Sequence, residues 1–256
     1  MLTLVDSLFI YNQNAYQYLS YLRLDKVTIK RNVNLTDKLK TLIIESTKIC
    51  GGFVLRISQT IVNLSLQRFT GAVNIPSIFG SVSIMLYGNE VIELCRDKYS
   101  LILKGFTFKR DVELDDSFRI VKLSEVKMRS GGKVILNKER VHLELYLSDV
   151  DIDYSKVDEL KCITLTKNIR PVAKNILALK TVTTATFKGM KLKNWFICPA
   201  NIRVISLHCV KMLGNKVFRI GQNCEETNLF NCIGNFDLSS APCLKKLAII
   251  PFANGN

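Results

Sequence analysis

The chain has 256 residues, 48% of them hydrophobic and 23% charged, with 36 Lys and Arg against 22 Asp and Glu for a formal net charge of +14. That length can bury a substantial core, and 5 prolines and 13 glycines in a chain of ordinary apolar content exclude a linker or a low-complexity segment. No apolar run approaches the roughly 20 residues of a membrane helix. The start, Met1-Leu2-Thr3-Leu4-Val5-Asp6, meets an acid without a basic segment. No membrane span and no cleaved signal peptide are therefore expected, which points to an intracellular protein, cytoplasmic or nuclear.

Taken in chain order, one pattern keeps returning. A weak copy opens the chain at Leu2-Thr3-Leu4. The segment Leu19-Ser20-Tyr21-Leu22-Arg23-Leu24-Asp25-Lys26-Val27-Thr28-Ile29 reads L-x-x-L-x-L-x-x-V-x-I. The frame returns at Leu42-Ile43-Ile44, Leu64-Ser65-Leu66, Ile84-Met85-Leu86, Leu101-Ile102-Leu103 and Val121-Lys122-Leu123. It continues at Leu145-Tyr146-Leu147, Ile163-Thr164-Leu165, Ala185-Thr186-Phe187, Ile205-Ser206-Leu207, Thr227-Asn228-Leu229 and Leu247-Ala248-Ile249. Thirteen copies result, spaced 17 to 24 residues apart. Thr28-Ile29-Lys30-Arg31-Asn32-Val33-Asn34-Leu35 also matches Thr107-Phe108-Lys109-Arg110-Asp111-Val112-Glu113-Leu114 at the same phase. Gly51-Gly52 and Gly131-Gly132 follow their units by a short gap, as a chain turning back on itself requires. Period-two alternation predicts short strands whose Leu22/Leu24-type positions, Leu103 and Leu147 among them, face a core. One coil cannot bury its own apolar face, so neighbours must stack. Only 171–180, led by Pro171, reads as helical.

The pattern resembles the leucine-rich repeat over essentially the whole chain. The resemblance implies a single solenoid over 1–256 of about 13 repeats, a horseshoe of short parallel strands with little helix. A plain parallel β-solenoid is the alternative fold. One departure is informative. The family's Asn/Cys position is Asn only at Asn89 and Asn168 and Cys at Cys232, and elsewhere is mostly apolar, as at Val27, Phe69, Phe106 and Val210. Apolar side chains cannot bond the turn's backbone, so these turns must satisfy it another way. No polar cap is evident at either end, and self-association through the terminal coils is expected.

The chemistry-bearing residues are sparse. No phosphate loop or dinucleotide fingerprint occurs. The eight cysteines form no C-x-x-C pair, which argues for reduced thiols and against a metal or cofactor. Five of them lie between 198 and 243, so a disulfide-tied C-terminal end stays open. Ser206 and His208 share an outward strand face, but residues 160–224 hold no Asp or Glu to orient the base, and no enzyme is expected; a hydrolase is the remotest reading.

Charge is more telling. Residues 171–256 carry 11 Lys and Arg against 3 acids. Within 160–224, Lys161, Lys167, Lys191, Lys211 and Lys216 form a basic band expected to lie at comparable phases of successive coils. The resemblance implies a non-catalytic protein-interaction scaffold with contacts on its outward strand residues Tyr21, Arg23, Tyr87, Tyr146, Lys188, His208 and Phe230. An acidic protein is the expected partner, and RNA or another polyanion the alternative.

Overall fold

The computed structural model describes residues 2–5, 8–9, 18–75, 83–96, 100–108, 111–114, 116, 118–128, 131–136, 142–148, 150–158, 160–167, 177 and 179–251. The chain is a parallel β-solenoid that divides into two compact units, Met1–Asn137 with Val150–Asp153, and Lys138–Asp149 with Tyr154–Asn256. A β-solenoid does not by itself identify a leucine-rich-repeat family. The helical expectation for 171–180 falls largely outside the described residues.

In the first unit the main sheet runs Leu2–Val5, Tyr21–Asp25, Thr41–Glu45, Asn63–Gln67, Val91–Cys95, Ser100–Lys104, Ile120–Ser124. Alternation decides which side chains enter: Leu22, Leu24, Leu42, Ile44, Leu101 and Leu103 are 0% exposed, while Arg23, Ile43 and Ile102 between them face outward. Each regular coil then turns and lays down two further short strands. Thr28–Ile29 stacks on Lys48–Ile49, and Val33–Asn34 on Val54–Arg56. Ile29, Val33 and Leu55 point inward from these faces and complete the core. In the second unit His142–Tyr146, Cys162–Thr166, Thr184–Lys188, Val204–His208, Glu226–Phe230 and Lys246–Ile250 pair in parallel register. Its core is aromatic. Phe196 stacks on Phe218 at 4.7 Å, and Phe187 meets both edge-on at 5.3 and 5.7 Å.

The turns answer the question that the missing Asn raised. The residue after most main strands is left-handed: Lys26, Ser46, Arg68 and Glu125 in the first unit, and Leu147, Lys167, Cys209 and Asn231 in the second, with φ between 47° and 56°. Gly105 and Gly189 hold the same place. A left-handed non-glycine residue costs about 1–2 kcal/mol. In return its N–H points along the stack. Lys26 donates to Glu45 O at 2.9 Å and Ser46 to Gln67 O at 3.0 Å. In the second unit Lys167 donates to Lys188 O, Gly189 to His208 O, Cys209 to Phe230 O and Asn231 to Ile250 O, at 2.7–3.1 Å. Backbone bonds the next coil's backbone, so the following position is free to be a buried Val27, Phe106 or Val210. Where it is polar, it bonds back to the strand end: Thr47 Oγ1 to Glu45 O and Ser148 Oγ to Tyr146 O, both at 3.0 Å.

Coil lengths alternate. Tyr21 pairs with Thr41 and Thr41 with Asn63, offsets of 20 and 22 residues. Cys162, Thr184, Val204, Glu226 and Lys246 step by 22, 20, 22 and 20. The two extra residues fall where the chain passes left-handed glycines: Gly51 and Gly52 at φ 68° and 74°, and Gly214 at 64°. The unit of repetition is thus a pair of coils.

Two copies of the sequence pattern are placed differently from expectation. Ser83–Leu86 does not join the main sheet but pairs antiparallel with Gly71–Asn74 in another sheet. The chain then reverses, and Val91–Cys95 enters the main sheet antiparallel to both Asn63–Gln67 and Ser100–Lys104. Ile84 and Leu86 alternate as well for one sheet as for another, so periodicity could not choose between them; their side chains lie outside the described set. The second correction is a frame shift of two residues. The inward pair of His142–Tyr146 is Leu143 with Leu145, and Leu147 is the left-handed turn residue, 36% exposed.

These placements separate two leucines that the sequence pattern treats alike. Leu103→Ala should cost about 2–5 kcal/mol through the cavity it leaves, whereas Leu147→Gly should be neutral or stabilise by up to about 1 kcal/mol by relieving the left-handed turn. Urea melts of both variants check this, and a large loss at Leu147 would count against the turn assignment.

Candidate partner-binding surface

Register does the gathering in the second unit. Tyr146 pairs with Thr166, Thr166 with Lys188, Lys188 with His208, and His208 with Phe230. Four of the residues singled out in the sequence therefore stand in one outward row, at the end of successive strands about 4.8 Å apart. The His208 and Phe230 rings stack at 4.6 Å with an interplanar angle of 18°. At the other end the stem of Lys167 lies over Gly189, where an added Cβ would stand 3.6 Å from Lys167 Cγ. Its Nζ reaches Tyr146, 3.5 Å from the hydroxyl and 5.6 Å from the ring centroid. Partial burial, and then the Lys188 ammonium beside it, hold the His208 imidazole below its ordinary value.

Around the turn from this row, Lys191 pairs with Lys211, and both are exposed. Lys167, Lys188, Lys191 and Lys211 thus border one stretch of surface. None of them makes an ion pair among the described residues. The neighbouring carboxylates are engaged elsewhere: Glu225 with Lys245 at 2.9 Å and Arg203 at 3.6 Å, Glu226 with Lys246 at 3.7 Å. The Lys245 hydrogen bond holds the Glu225 carboxyl below its ordinary value. The basic band is not a single stripe, however. Lys161 lies at the start of its strand, where its carbonyl accepts the Thr183 and Thr184 N–H groups, and Lys216 precedes the third-face strand Val217–Arg219. A coil has three faces, and a run of lysines spaced along it is distributed over all of them.

The first unit keeps its predicted contacts apart. Tyr21 heads the row Tyr21, Thr41, Asn63. Arg23 is half-buried and bonded to Glu45 at 3.4 Å, with Arg68 on the other carboxylate oxygen. Tyr87, 59% exposed, stands in the turn after the strand Ser83–Leu86, not on the main face. It lines a hollow with Arg68, Asn89, Glu90, Lys104 and Glu125, where the reversed strand interrupts the ladder of left-handed turns. Burial pushes the Glu90 carboxyl up, against the lowering effect of the Tyr87 N–H that it accepts at 2.7 Å.

The remaining chemistry is placed as follows. Ser206 Oγ accepts from Asn228 Nδ2 at 3.4 Å, and Asn228 in turn donates to Glu226 Oε1 at 3.1 Å. All eight cysteines are free thiols; Cys198 and Cys224 are buried, but Cys209 and Cys243 are exposed, so the set is not uniformly interior. Burial, and then the neighbouring Cys224, push the Cys198 thiol up to about 12. No group of three or more His, Cys, Asp or Glu side chains placed to hold a metal, and no helix long and apolar enough to cross a membrane, occurs among the described residues. Sequence reasoning passed over Trp195 and Ile197, which are 54% and 65% exposed on the third face of the second unit.

No protein-family model matches the chain, and comparison with curated proteins and with solved structures returns no match.

The Lys188–His208 contact has a titration signature. Because the folded state lowers the imidazole pKa, the unfolded chain takes up this proton first as pH falls. Stability contributed by the neutral ring is present above the ordinary imidazole pKa and lost as pH falls through the folded value. By NMR titration, His208 should ionise below an unfolded-chain histidine. Lys188→Gln should raise its midpoint only part of the way, since burial is the larger cause. An unmoved midpoint would show that Lys188 does not act on the ring.

Proposed function

We propose that the chain is a non-catalytic binding scaffold whose second unit docks an acidic protein along the row Tyr146, Lys188, His208 and Phe230. The observation that carries this reading is the juxtaposition itself. Residues far apart in sequence stand side by side as aromatic and cationic contacts, with Lys167, Lys191 and Lys211 at their margin, none of them in an ion pair among the described residues. Aromatic rings held on rigid strands lose little entropy on binding, which suits them to contact hot spots. The lysines would steer an acidic surface in and fix its orientation, while the stacked rings would supply the desolvated centre. Polyanion binding fits less well. His208 and Phe230 stack on each other, which leaves few free faces for bases, and the lysines border a narrow strip of surface.

Lys188→Glu, Lys191→Glu and Lys211→Glu combined should abolish capture of the partner by the immobilised chain while leaving its melting temperature nearly unchanged, because nothing in the core rests on these side chains. Phe230→Ser alone should weaken capture with little change in salt dependence. Equal capture by wild type and the triple variant would end the proposal. Capture that falls steeply with salt and is abolished by nuclease would transfer the surface to nucleic acid.

A further inference from the structure

The two units contain the same three-coil module. Main strands begin at residues 21, 41 and 63 in one, and at 184, 204 and 226 in the other, with no gap between the two numberings. Lys48, Gly51, Val54, Arg56, Ile57, Gln59 and Gly71 recur as Lys211, Gly214, Val217, Arg219, Ile220, Gln222 and Gly234. Even a backbone peculiarity is repeated. Gly71 and Gly234 sit at φ 137° and 115°, and at each an added Cβ would stand 2.6 Å from the Cβ of the side chain beneath, Ile49 or Met212. Position can therefore be compared with position.

The two modules differ on the third face. In the first module Asn32 Oδ1 accepts the Val54 N–H at 2.9 Å, tying one coil to the next, and Asn34 Oδ1 accepts from Arg56 Nη1 at 3.4 Å. Asp111 repeats the first bond, accepting the Lys133 N–H at 2.8 Å. A short carboxylate or amide at this place is what the coil geometry uses. In the second module the two residues are Trp195 and Ile197. Indole cannot accept that bond. The sole tryptophan of the chain thus replaces a bonding residue with an exposed ring, and a β-branched apolar residue beside it is more exposed still. Neither supports the core: the inward residue between them, Phe196, does that by stacking on Phe218.

The surroundings specify the ligand. Lys193 lies two residues before Trp195, the half-exposed Lys216 immediately precedes the strand Val217–Arg219 on which Phe196–Ile197 stacks, and neither makes an ion pair among the described residues. Arg219, which pairs in register with Ile197, is held by Asp237 at 2.9 Å, and that bond occupies the face's own carboxylate. What remains is an apolar spot with unneutralised cations at its margin. We propose that Trp195 and Ile197 form a second docking site, for an acidic segment of another protein that sets an apolar side chain against them and carboxylates beside Lys193 and Lys216. Tryptophan is among the residues enriched at the hot spots of such contacts, and Ile197 offers no face on which a base could stack. The site lies on a different strand of the coil from Lys188 and shares no residue with the row ending at Phe230, so each stands or falls separately.

A single tryptophan makes intrinsic emission a direct reporter. A fluorescein-labelled peptide alternating Glu with Leu should shift Trp195 emission to shorter wavelength and shield it from iodide; a Lys–Leu peptide and oligothymidylate should do neither. By fluorescein anisotropy, the double variant Trp195→Asn with Ile197→Asn should bind the Glu–Leu peptide at least about tenfold more weakly, a difference of about 1.4 kcal/mol. Lys188→Glu should leave that affinity within about threefold of wild type. The melting temperature of the double variant should equal or exceed that of wild type, because asparagine restores the bond made by Asn32. Undiminished peptide binding by the variant, no emission response, tighter binding of oligothymidylate, or a melting temperature lowered by the asparagines would overturn the proposal.

Discussion

The hydrogen bond from the left-handed turn N–H of Lys26, Ser46, Gly105, Leu147, Lys167, Gly189, Cys209 and Asn231 to the strand-end carbonyl of the next coil is the constraint on which the rest depends. It is made only if consecutive coils are in register, because donor and acceptor sit at fixed positions of each repeat. A slip by one residue would turn every side chain to the wrong face. The bond also offsets the left-handed conformation that Lys26, Ser46, Cys209 and others adopt against their steric preference. Backbone closing the turn on backbone removes the need for a polar side chain at the next position, which is why Val27, Phe106 and Val210 can be core.

Register has a functional consequence. When equivalent positions stack, the outward surface of a unit becomes a set of rows, each contributed one residue per coil. Lys188, His208 and Phe230 meet although 20 or more residues separate each from the next. A surface built this way can change at one position without disturbing its neighbours' backbone. The contrast between Asn32 and Trp195 is an instance: the coil path is kept and the outward chemistry replaced. Such a replacement gives up a bond of the kind by which Asn32 holds coil to coil.

Where the stack is interrupted, the interruption is itself ordered. Ser83–Leu86 and Val91–Cys95 form a reversed excursion that still places Ile92 and Leu94 inward. Antiparallel pairing satisfies their backbone as well as parallel pairing would, but it cannot continue the ladder of turns. The hollow lined by Tyr87, Glu90 and Lys104 is the geometric residue of that break.

The sequence by itself determined the alternation, the repeat and most of the core. Leu22, Leu24, Leu101, Leu103, Ile205 and Leu207 are inward because period-two patterning leaves an apolar pair no other low-energy place. It also carried the acid-free stretch in which Lys167, Lys188, Lys191 and Lys211 make no ion pair among the described residues, and the row residues Tyr146, Lys188, His208 and Phe230. It did not carry what depends on closing the coil. Leu145-Tyr146-Leu147 has the same pattern in either frame, and only the turn geometry puts Leu147 outside. Lys161, Lys191 and Lys216 look equivalent along the chain, yet three faces separate them. Trp195 and Ile197 read as one more apolar alternation around Phe196, and the packing of Phe196 on Phe218 is what turns its neighbours outward. Periodicity is a local property and chooses a side of the strand; which face of the coil that strand occupies, and what stands beside it, is decided by contacts between residues a full coil apart.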